Sequence, residues 1–327
     1  MSDEPEPRES KRSIASLLFK ALTWFLSAGC FYLVYTKIDG AASRDGITVL
    51  QYLQDFFSGV NWWLWLAVMI PYSFFFFLVD THVTWRAIRW FNAPALGFTK
   101  ILPIRASAYI LALVNEQVGK GAMSLYLLKT YKVPGWQALS TMIFIGIVEI
   151  YQLLMFSTVG VVLRFDYVQQ ASTMLPLDVI LPCVLVGALV YFPVHFAFFR
   201  GYIFKRSKLR EIGVLHALRN AKLWHYGLAV LFKAPNLIGA VIVYAIALNL
   251  FQVEATVGQM LIFLPLIFLA AALPLPFHAG ALLLWTVLFP DYPEVGAFSL
   301  VMHTFFVLFN ALIGVAFLPR ANKELFG

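Results

Sequence analysis

Two stretches of this chain, residues 112–153 and 271–312, can be aligned without a gap at a constant offset of 159 residues. Each contains a short apolar segment, a polar break with a glycine, a second short apolar segment, a turn at a proline and a long apolar segment. The aligned identities are Gly121 with Gly280, Ala122 with Ala281, Leu125 with Leu284, Pro134 with Pro293, Ala138 with Ala297 and Ser140 with Ser299. The alternative is that two apolar segments are similar by chance. The glycine of the break and the proline of the turn argue against chance, because both align at the same offset. Paired, interrupted apolar segments in two halves point to a translocation site.

The composition places the chain among membrane proteins. It is 61% hydrophobic and 13% charged, with a mean hydropathy of +0.79, whereas soluble domains average about 45–50% apolar and about 25% charged residues. We therefore expect an all-α polytopic membrane protein. No polar stretch is long enough for an attached soluble domain.

The lengths of the apolar segments predict two kinds of helix. Six segments are long enough to cross a bilayer, which takes about 17–25 helical residues: Ile14–Tyr35, Trp62–Val79, Ala138–Leu163, Val179–Phe199, Leu228–Phe251 and Ala297–Leu318. Four are short or interrupted: Ile101–Val114, Ala122–Tyr131, Val257–Leu273 and Ala279–Phe289. We interpret the short ones as two helical hairpins, broken or re-entrant, that enter the membrane and turn back. Eight or ten full crossings are the alternative.

The distribution of basic residues predicts the orientation. Most of the 24 Lys and Arg residues fall on one side if the amino terminus is cytoplasmic, including Arg86, Arg89, Lys100 and Arg105. This bias favours cytoplasmic amino and carboxyl termini in a cell inner (plasma) membrane. The two hairpins then enter from opposite faces, so the repeats have inverted topology.

The domain organisation follows from the same segments. Residues 1–13 are acidic and proline-containing, and we expect a disordered cytoplasmic tail. Residues 14–327 form a single membrane-embedded domain, with repeat halves of roughly 14–199 and 200–327. The first apolar segment is too long for a signal peptide and lacks a cleavage site.

No enzyme signature is found. Residues 114–121 approach a phosphate-binding loop but fail at Val114 and Gly121, and the histidines and cysteines show no ligand spacing. We therefore predict no catalytic residue, no metal, no cofactor and no nucleic-acid partner.

Polar residues at the first break are candidate substrate contacts. Asn115, Glu116, Gly119, Lys120 and Gly121 lie between the two short segments. Glu116 and Lys120 are four residues apart, the spacing of a helical ion pair. Three interpretations stay open: a salt bridge that stabilises the hairpin tip, a phosphate site formed by Lys120 and free backbone amides, or a break at the surface.

Two charges lie further inside apolar segments. Glu149 is far from either end of its segment, where snorkelling cannot reach water, so it indicates headgroup contact, proton coupling or a structural hydrogen bond. Lys233 follows the basic loop 200–222 closely enough to snorkel back to the cytoplasmic face.

The second break is almost uncharged. It contains two prolines, His278 and Gly280. His278 is a candidate substrate contact, with a satisfied core histidine as the alternative, and the same alternatives hold for His303.

The two breaks together resemble those of the flippase-like family, the transmembrane region of lysylphosphatidylglycerol synthase and its stand-alone relatives. Asn115, Gly119, Lys120 and Gly121 match the first break of that family, and Leu273–Gly280 resembles the second. The chain departs from the pattern where Val118 replaces a proline, Ala122 an acidic residue and Leu125 an arginine. The second break carries Ala281 and no acid, where the family commonly has a glutamate.

The resemblance implies an integral membrane lipid transporter that moves a phospholipid or lipid-linked headgroup between leaflets. The alternatives are an intramembrane lipid-modifying enzyme and a non-catalytic scaffold of a cell-envelope synthesis complex. Expected partners are the membrane lipid substrate, anionic lipid at the basic cytoplasmic loop 200–222, and a lipid synthase or glycosyltransferase.

Overall fold

The computed structural model describes residues 8–114, 116–172 and 175–326, and the side chains of residues 17–113, 119, 121–172 and 175–325. Within these ranges the chain is helical, without strands. The helices are α1 (Arg8–Arg44), α2 (Val49–Ser58), α3 (Trp62–Phe91), α4 (Phe98–Val114), α5 (Glu116–Tyr131), α6 (Gly135–Leu163), α7 (Phe165–Ala171), α8 (Leu177–Arg200), α9 (His216–Asn220), α10 (Leu223–Leu250), α11 (Val257–Ala271), α12 (Ala279–Leu288) and α13 (Val295–Phe326).

Six helices of the described chain are long and apolar enough to cross a membrane: α1, α3, α6, α8, α10 and α13. They correspond one to one to the six predicted spans, and the prediction of an all-α polytopic membrane protein is confirmed. Helices dominate because a bilayer offers no water to backbone amides and carbonyls, so each segment must satisfy its own polar groups.

The four short segments form the two predicted hairpins, in which α5 packs back on α4 and α12 packs back on α11. A glycine brings the two arms of each hairpin together. A Cβ atom at Gly119 would lie 2.8 Å from the carbonyl oxygen of Ala108, and one at Gly280 would lie 3.0 Å from that of Ala270. Gly119 and Gly280 are therefore sites of close helix packing.

The helix boundaries extend the sequence repeat. Helices α3 to α6 match α10 to α13 at nearly the same offset, and α1 matches α8. This assigns α8 to the second repeat, whereas the halves expected from the sequence place it in the first. If α3, α6 and α8 each cross the membrane and the α4–α5 hairpin returns, the two repeats run in opposite directions through it.

The repeats interlock by exchanging partners. Helix α4 of the first repeat packs along α13 of the second, and α11 of the second packs along α6 of the first. Both contacts use a glycine: a Cβ atom at Gly314 would lie 2.6 Å from the Ala106 carbonyl oxygen, and one at Gly160 would lie 3.0 Å from the backbone of Ile262. Neither repeat can therefore bury its hairpin alone.

The apolar interior is divided into two main buried clusters at opposite ends of α3 and α10. One contains Trp65 to Tyr72 of α3 and Ala240 to Phe251 of the α10 region. The other contains Val83 to Ile88 of α3 and Tyr226 to Ala229 of α10. The stretches of α3 and α10 between the clusters are where polar side chains are buried.

The structure differs from the predictions at two segment ends. Helix α1 begins at Arg8, so residues 8–13 of the expected disordered tail are helical, while residues 1–7 lie outside the described part of the chain. Helix α3 continues past Val79 to Phe91. Asp80 follows Val79 within the helix, and Arg105 of α4 compensates its charge, as described below.

We expect the substitution Gly314→Ala to lower the thermal stability of the purified protein, because the added methyl group must push α13 away from α4. Such overpacking destabilises by about 1–3 kcal/mol. The matched control is Gly187→Ala in α8, where a Cβ atom would meet nothing within 4 Å and alanine favours the helix. Thermal unfolding of both variants in detergent, followed by size-exclusion chromatography, checks this. Equal melting temperatures would contradict the interlocked packing.

Candidate functional site

A buried ion pair joins α3 to α4 between the two apolar clusters. The Asp80 carboxylate accepts a hydrogen bond of 2.7 Å from Arg105 Nε and one of 2.7 Å from the Tyr109 hydroxyl, both at Oδ2. The Asp80 side chain is 7% exposed and that of Arg105 is 19% exposed. Each charge at this depth is costly alone, and the pair with its added hydroxyl donor compensates both.

A second ion pair joins α6 to α10. Lys233 Nζ lies 2.7 Å from Glu149 Oε2. The side chains differ sharply in environment, since that of Lys233 is 7% exposed and that of Glu149 is 53% exposed. The cation is enclosed by protein, while the carboxylate that neutralises it stands at an open surface near the middle of α6.

The two pairs form one charge cluster, which we define as Asp80, Arg105, Glu149 and Lys233. Lys233 is close enough to stabilise the charge of Asp80, and Glu149 does the same for Arg105. The four formal charges cancel. An ion that enters this cluster must therefore displace a residue of its own sign or arrive with a counter-charge.

Buried polar groups continue along the contact between α3 and α10. The Tyr72 hydroxyl donates to the backbone oxygen of Asn236 over 3.1 Å, and Asn236 Nδ2 donates to the Phe76 carbonyl over 3.4 Å. The Asn236 side-chain oxygen has no hydrogen-bond partner. An unpaired buried acceptor is uncommon in proteins, and here it lies one helical turn from Lys233.

Of the predicted site residues, Glu149 lies in the charge cluster. For much of the first break the structure describes only the backbone. Asn115 lies outside the described residues, as do the side chains of Glu116 and Lys120. Gly119 is buried against α4, and Gly121 is exposed with open space around it. The open alternatives for Glu116 and Lys120 therefore stay open.

In the second break, His278 and His303 come together, with ring centroids 4.3 Å apart. Gly280 lies beside them at the contact with α11. These residues are separated from the charge cluster along α3, where Tyr72 and Phe76 line the pocket beside the histidines and Asp80 follows one turn later. The two predicted breaks thus have chemically different surroundings.

Sequence reasoning missed Asp80, Arg105 and Tyr109. The predicted span ended at Val79, directly before Asp80, and Arg105 was assigned to the cytoplasmic positive charge, whereas the structure encloses both within helices. Lys233 pairs with Glu149 and does not snorkel. A signal was present for Arg105, which lies inside the predicted apolar segment Ile101–Val114.

The basic loop 200–222 forms short turns that expose Lys205, Arg206 and Lys208. Arg219 donates to the backbone oxygen of Arg210 over 3.2 Å. Burial, aided by the charge of Arg219, lowers the pKa of His216. At neutral pH the positive charge of this loop is therefore carried by its lysines and arginines.

No protein-family model matches the chain, and no curated protein and no solved structure is significantly similar to it. The fold itself defines the class: an all-α, multi-pass membrane protein built from two interlocked repeats, with a charge cluster, open at Glu149, between its two apolar clusters.

We expect Asp80→Asn to destabilise the protein strongly, because it leaves the Arg105 guanidinium buried without its counter-charge. Breaking a buried pair in this way costs about 3–5 kcal/mol. The matched control is Asp166→Asn, which breaks the exposed pair with Arg164 and should leave the melting temperature near wild type. Thermal unfolding in detergent measures both, and equal effects would show that Asp80 carries no buried charge.

Proposed function

We propose that this protein moves a lipid with an anionic, phosphate-bearing headgroup between the leaflets of the membrane, using Lys233 as the headgroup site. Three features support the proposal: inverted repeats, a charge cluster at membrane depth, and the resemblance of the two breaks to the flippase-like family. Inverted repeats allow a central site to open alternately to each face.

The observation that carries the proposal is the unequal exposure of the Lys233–Glu149 pair. An ion pair enclosed on both sides is hard to exchange, because removing one partner leaves the other buried and uncompensated. Here the carboxylate is half exposed and the ammonium is enclosed. A phosphate that approaches along the open side can take the place of the carboxylate at Lys233, since both are oxyanions that accept the same hydrogen bonds.

An apolar groove beside the cluster suits the acyl chains. It has a volume of about 590 Å³ between α6, α8 and α10. Val148 and Val230 line it, and Gln152 Nε2, one turn beyond Val148, lies 3.5 Å from the Val230 backbone oxygen. Glu149 follows Val148, and Lys233 lies one turn beyond Val230, so a headgroup at Lys233 leaves its chains next to this groove.

The first hairpin would supply further headgroup contacts in this proposal. Lys120 and the backbone amides around Gly119 and Gly121 would meet the phosphate, and Glu116 would set the position of Lys120. The basic loop 200–222 would gather anionic lipid at the cytoplasmic face. A lipid synthase or glycosyltransferase would provide the substrate.

The substitution Lys233→Gln tests the headgroup site. It removes the enclosed cation and leaves Glu149, which is already half exposed, so we expect the melting temperature to stay near wild type. We expect translocation of a fluorescent anionic phospholipid in proteoliposomes to fall by about tenfold or more, since a hydrogen bond to a charged group contributes about 1.5–3 kcal/mol.

The matched control is Lys100→Gln, which breaks the exposed pair with Glu324 and should leave translocation unchanged. Glu149→Gln should lower stability more than Lys233→Gln does, because it leaves Lys233 enclosed without its nearest carboxylate. A folded Lys233→Gln variant that moves lipid at the wild-type rate would refute the headgroup site and favour a structural scaffold.

We also propose that both termini are cytoplasmic in the plasma membrane. Reporter fusions in the turns at Gly46, Arg164 and Gln252 should then report the outside, and fusions at Asn92 and Lys208 the cytoplasm. The physical reason is the excess of Lys and Arg in the loops assigned to the inside. Signals at Arg164 and Lys208 from the same side would remove α8 as a crossing and with it the inverted topology.

A further inference from the structure

A second pocket lies between α3, α10, α13 and the second hairpin, away from the charge cluster. Its volume is about 180 Å³. This is several times the share of one water molecule in the liquid, about 30 Å³, so it fits a small group and not a whole lipid. Six aromatic side chains line it: Tyr72, Phe76, Tyr244, Phe268, Trp285 and Phe306.

The aromatic rings lie at different angles and enclose the space from several sides. Tyr244 and Trp285 are nearly parallel, with an interplanar angle of 10° and centroids 5.9 Å apart. Phe306 meets Phe76 edge to face at 79° and 4.7 Å. Phe268 meets Tyr244 at 84°. The face of an aromatic ring is electron-rich, and walls of this kind attract cations.

His278 adds a lone pair at the mouth of the pocket. Its Nδ1 lies 3.0 Å from the carbonyl oxygen of Ala271. A carbonyl only accepts, so Nδ1 carries the proton and Nε2 of the neutral ring keeps a lone pair. Ser299 and the ring of His303 line the same space. The polar groups of the pocket are therefore neutral hydroxyl, indole and imidazole groups, with the His278 ring as an acceptor.

The backbone that presents His278 is strained. Phe277 has a φ of 56° and His278 a φ of 51°, a left-handed conformation that residues other than glycine seldom adopt. Each such residue costs of order 1–3 kcal/mol, and strain of this kind clusters at functional sites. Phe277 and His278 both adopt this costly conformation, which places the His278 ring at the pocket.

We infer that this pocket is a binding site for a small ammonium group, held by the aromatic faces and, where the group carries N–H, by His278 Nε2. An anion would find no counter-charge from a Lys or Arg side chain there, because no Lys or Arg of the described chain lines the pocket. An uncharged group would gain nothing from the ring quadrupoles. This site goes beyond the proposed function, since ammonium binding is measured without transport.

The first test compares a charged ligand with an uncharged one of the same shape. Radiolabelled choline is added to the purified full-length protein in detergent, in competition with its carbon isostere, in which a tert-butyl group replaces trimethylammonium. We expect choline to bind and the isostere to compete at least about tenfold less well. If the isostere competed as well as choline, the pocket would have no preference for a charged group and the proposal would be wrong. Absence of choline binding would also overturn the site.

The second test uses matched variants of α13. Phe306→Leu keeps apolar bulk but removes a ring from the pocket, and we expect choline affinity to fall about fivefold. The control Phe305→Leu alters the adjacent half-buried ring, which stacks on Phe309 outside the pocket, and should bind choline as the wild type does. Equal losses in two folded variants would overturn the assignment.

The third test isolates His278 and stays informative if Phe306→Leu fails to fold. His278→Ala should weaken ethylammonium, which donates N–H bonds, more than tetramethylammonium, which has none. If His278→Ala lowered the affinity for both ligands equally, His278 Nε2 would not accept a hydrogen bond from the ligand. Nanodiscs containing phosphatidylethanolamine should compete with choline if the ammonium belongs to a lipid headgroup. Lack of competition there, with free choline still bound, would assign the site to soluble amines.

Discussion

The pairing of charges at membrane depth is the constraint on which the rest of this structure depends. The charge cluster draws its four residues from four different helices: Asp80, Arg105, Glu149 and Lys233. A charged side chain at membrane depth is costly without an opposite charge within hydrogen-bonding reach. The four helices must therefore keep a fixed register. The glycine contacts at Gly314 and the exchanged packing of α4 and α11 supply that register, because they let helices from different repeats approach closely.

Sequence reasoning recovered the helices and missed the pairing, for one physical reason. A bilayer imposes length and apolarity on each segment separately, so the six spans and the short hairpins can be predicted segment by segment. An ion pair such as Asp80 with Arg105 is a property of two segments at once, and a single sequence does not show which helices meet. Glu149 was identified because both ends of its segment are distant, whereas Asp80 lay just beyond the predicted span and Arg105 was counted with the cytoplasmic positive charge.

The backbone repeat is nearly symmetric, but its chemistry is not. At the repeat offset, Asp80, Arg105 and Glu149 of the first half correspond to Gly239, Leu264 and Leu308 of the second. In turn, His303 corresponds to Phe144 and Lys233 to Phe74. The first half thus supplies the carboxylates and a guanidinium, and the second supplies two histidines and most of the aromatic pocket. The two halves therefore place different chemistry at corresponding positions of the repeat.

The two ion pairs of the cluster have different roles because their carboxylates are held differently. The Asp80 carboxylate is enclosed and receives both a guanidinium and a phenolic hydroxyl, so replacing it would strand two donors. Glu149 has a half-exposed side chain that returns to an open surface when Lys233 is released. Displacing Glu149 therefore frees a carboxylate that protein does not enclose, and Lys233 is the buried donor that must be satisfied anew. This difference is why the proposed exchange with a headgroup is assigned to the Glu149–Lys233 pair and not to the Asp80–Arg105 pair.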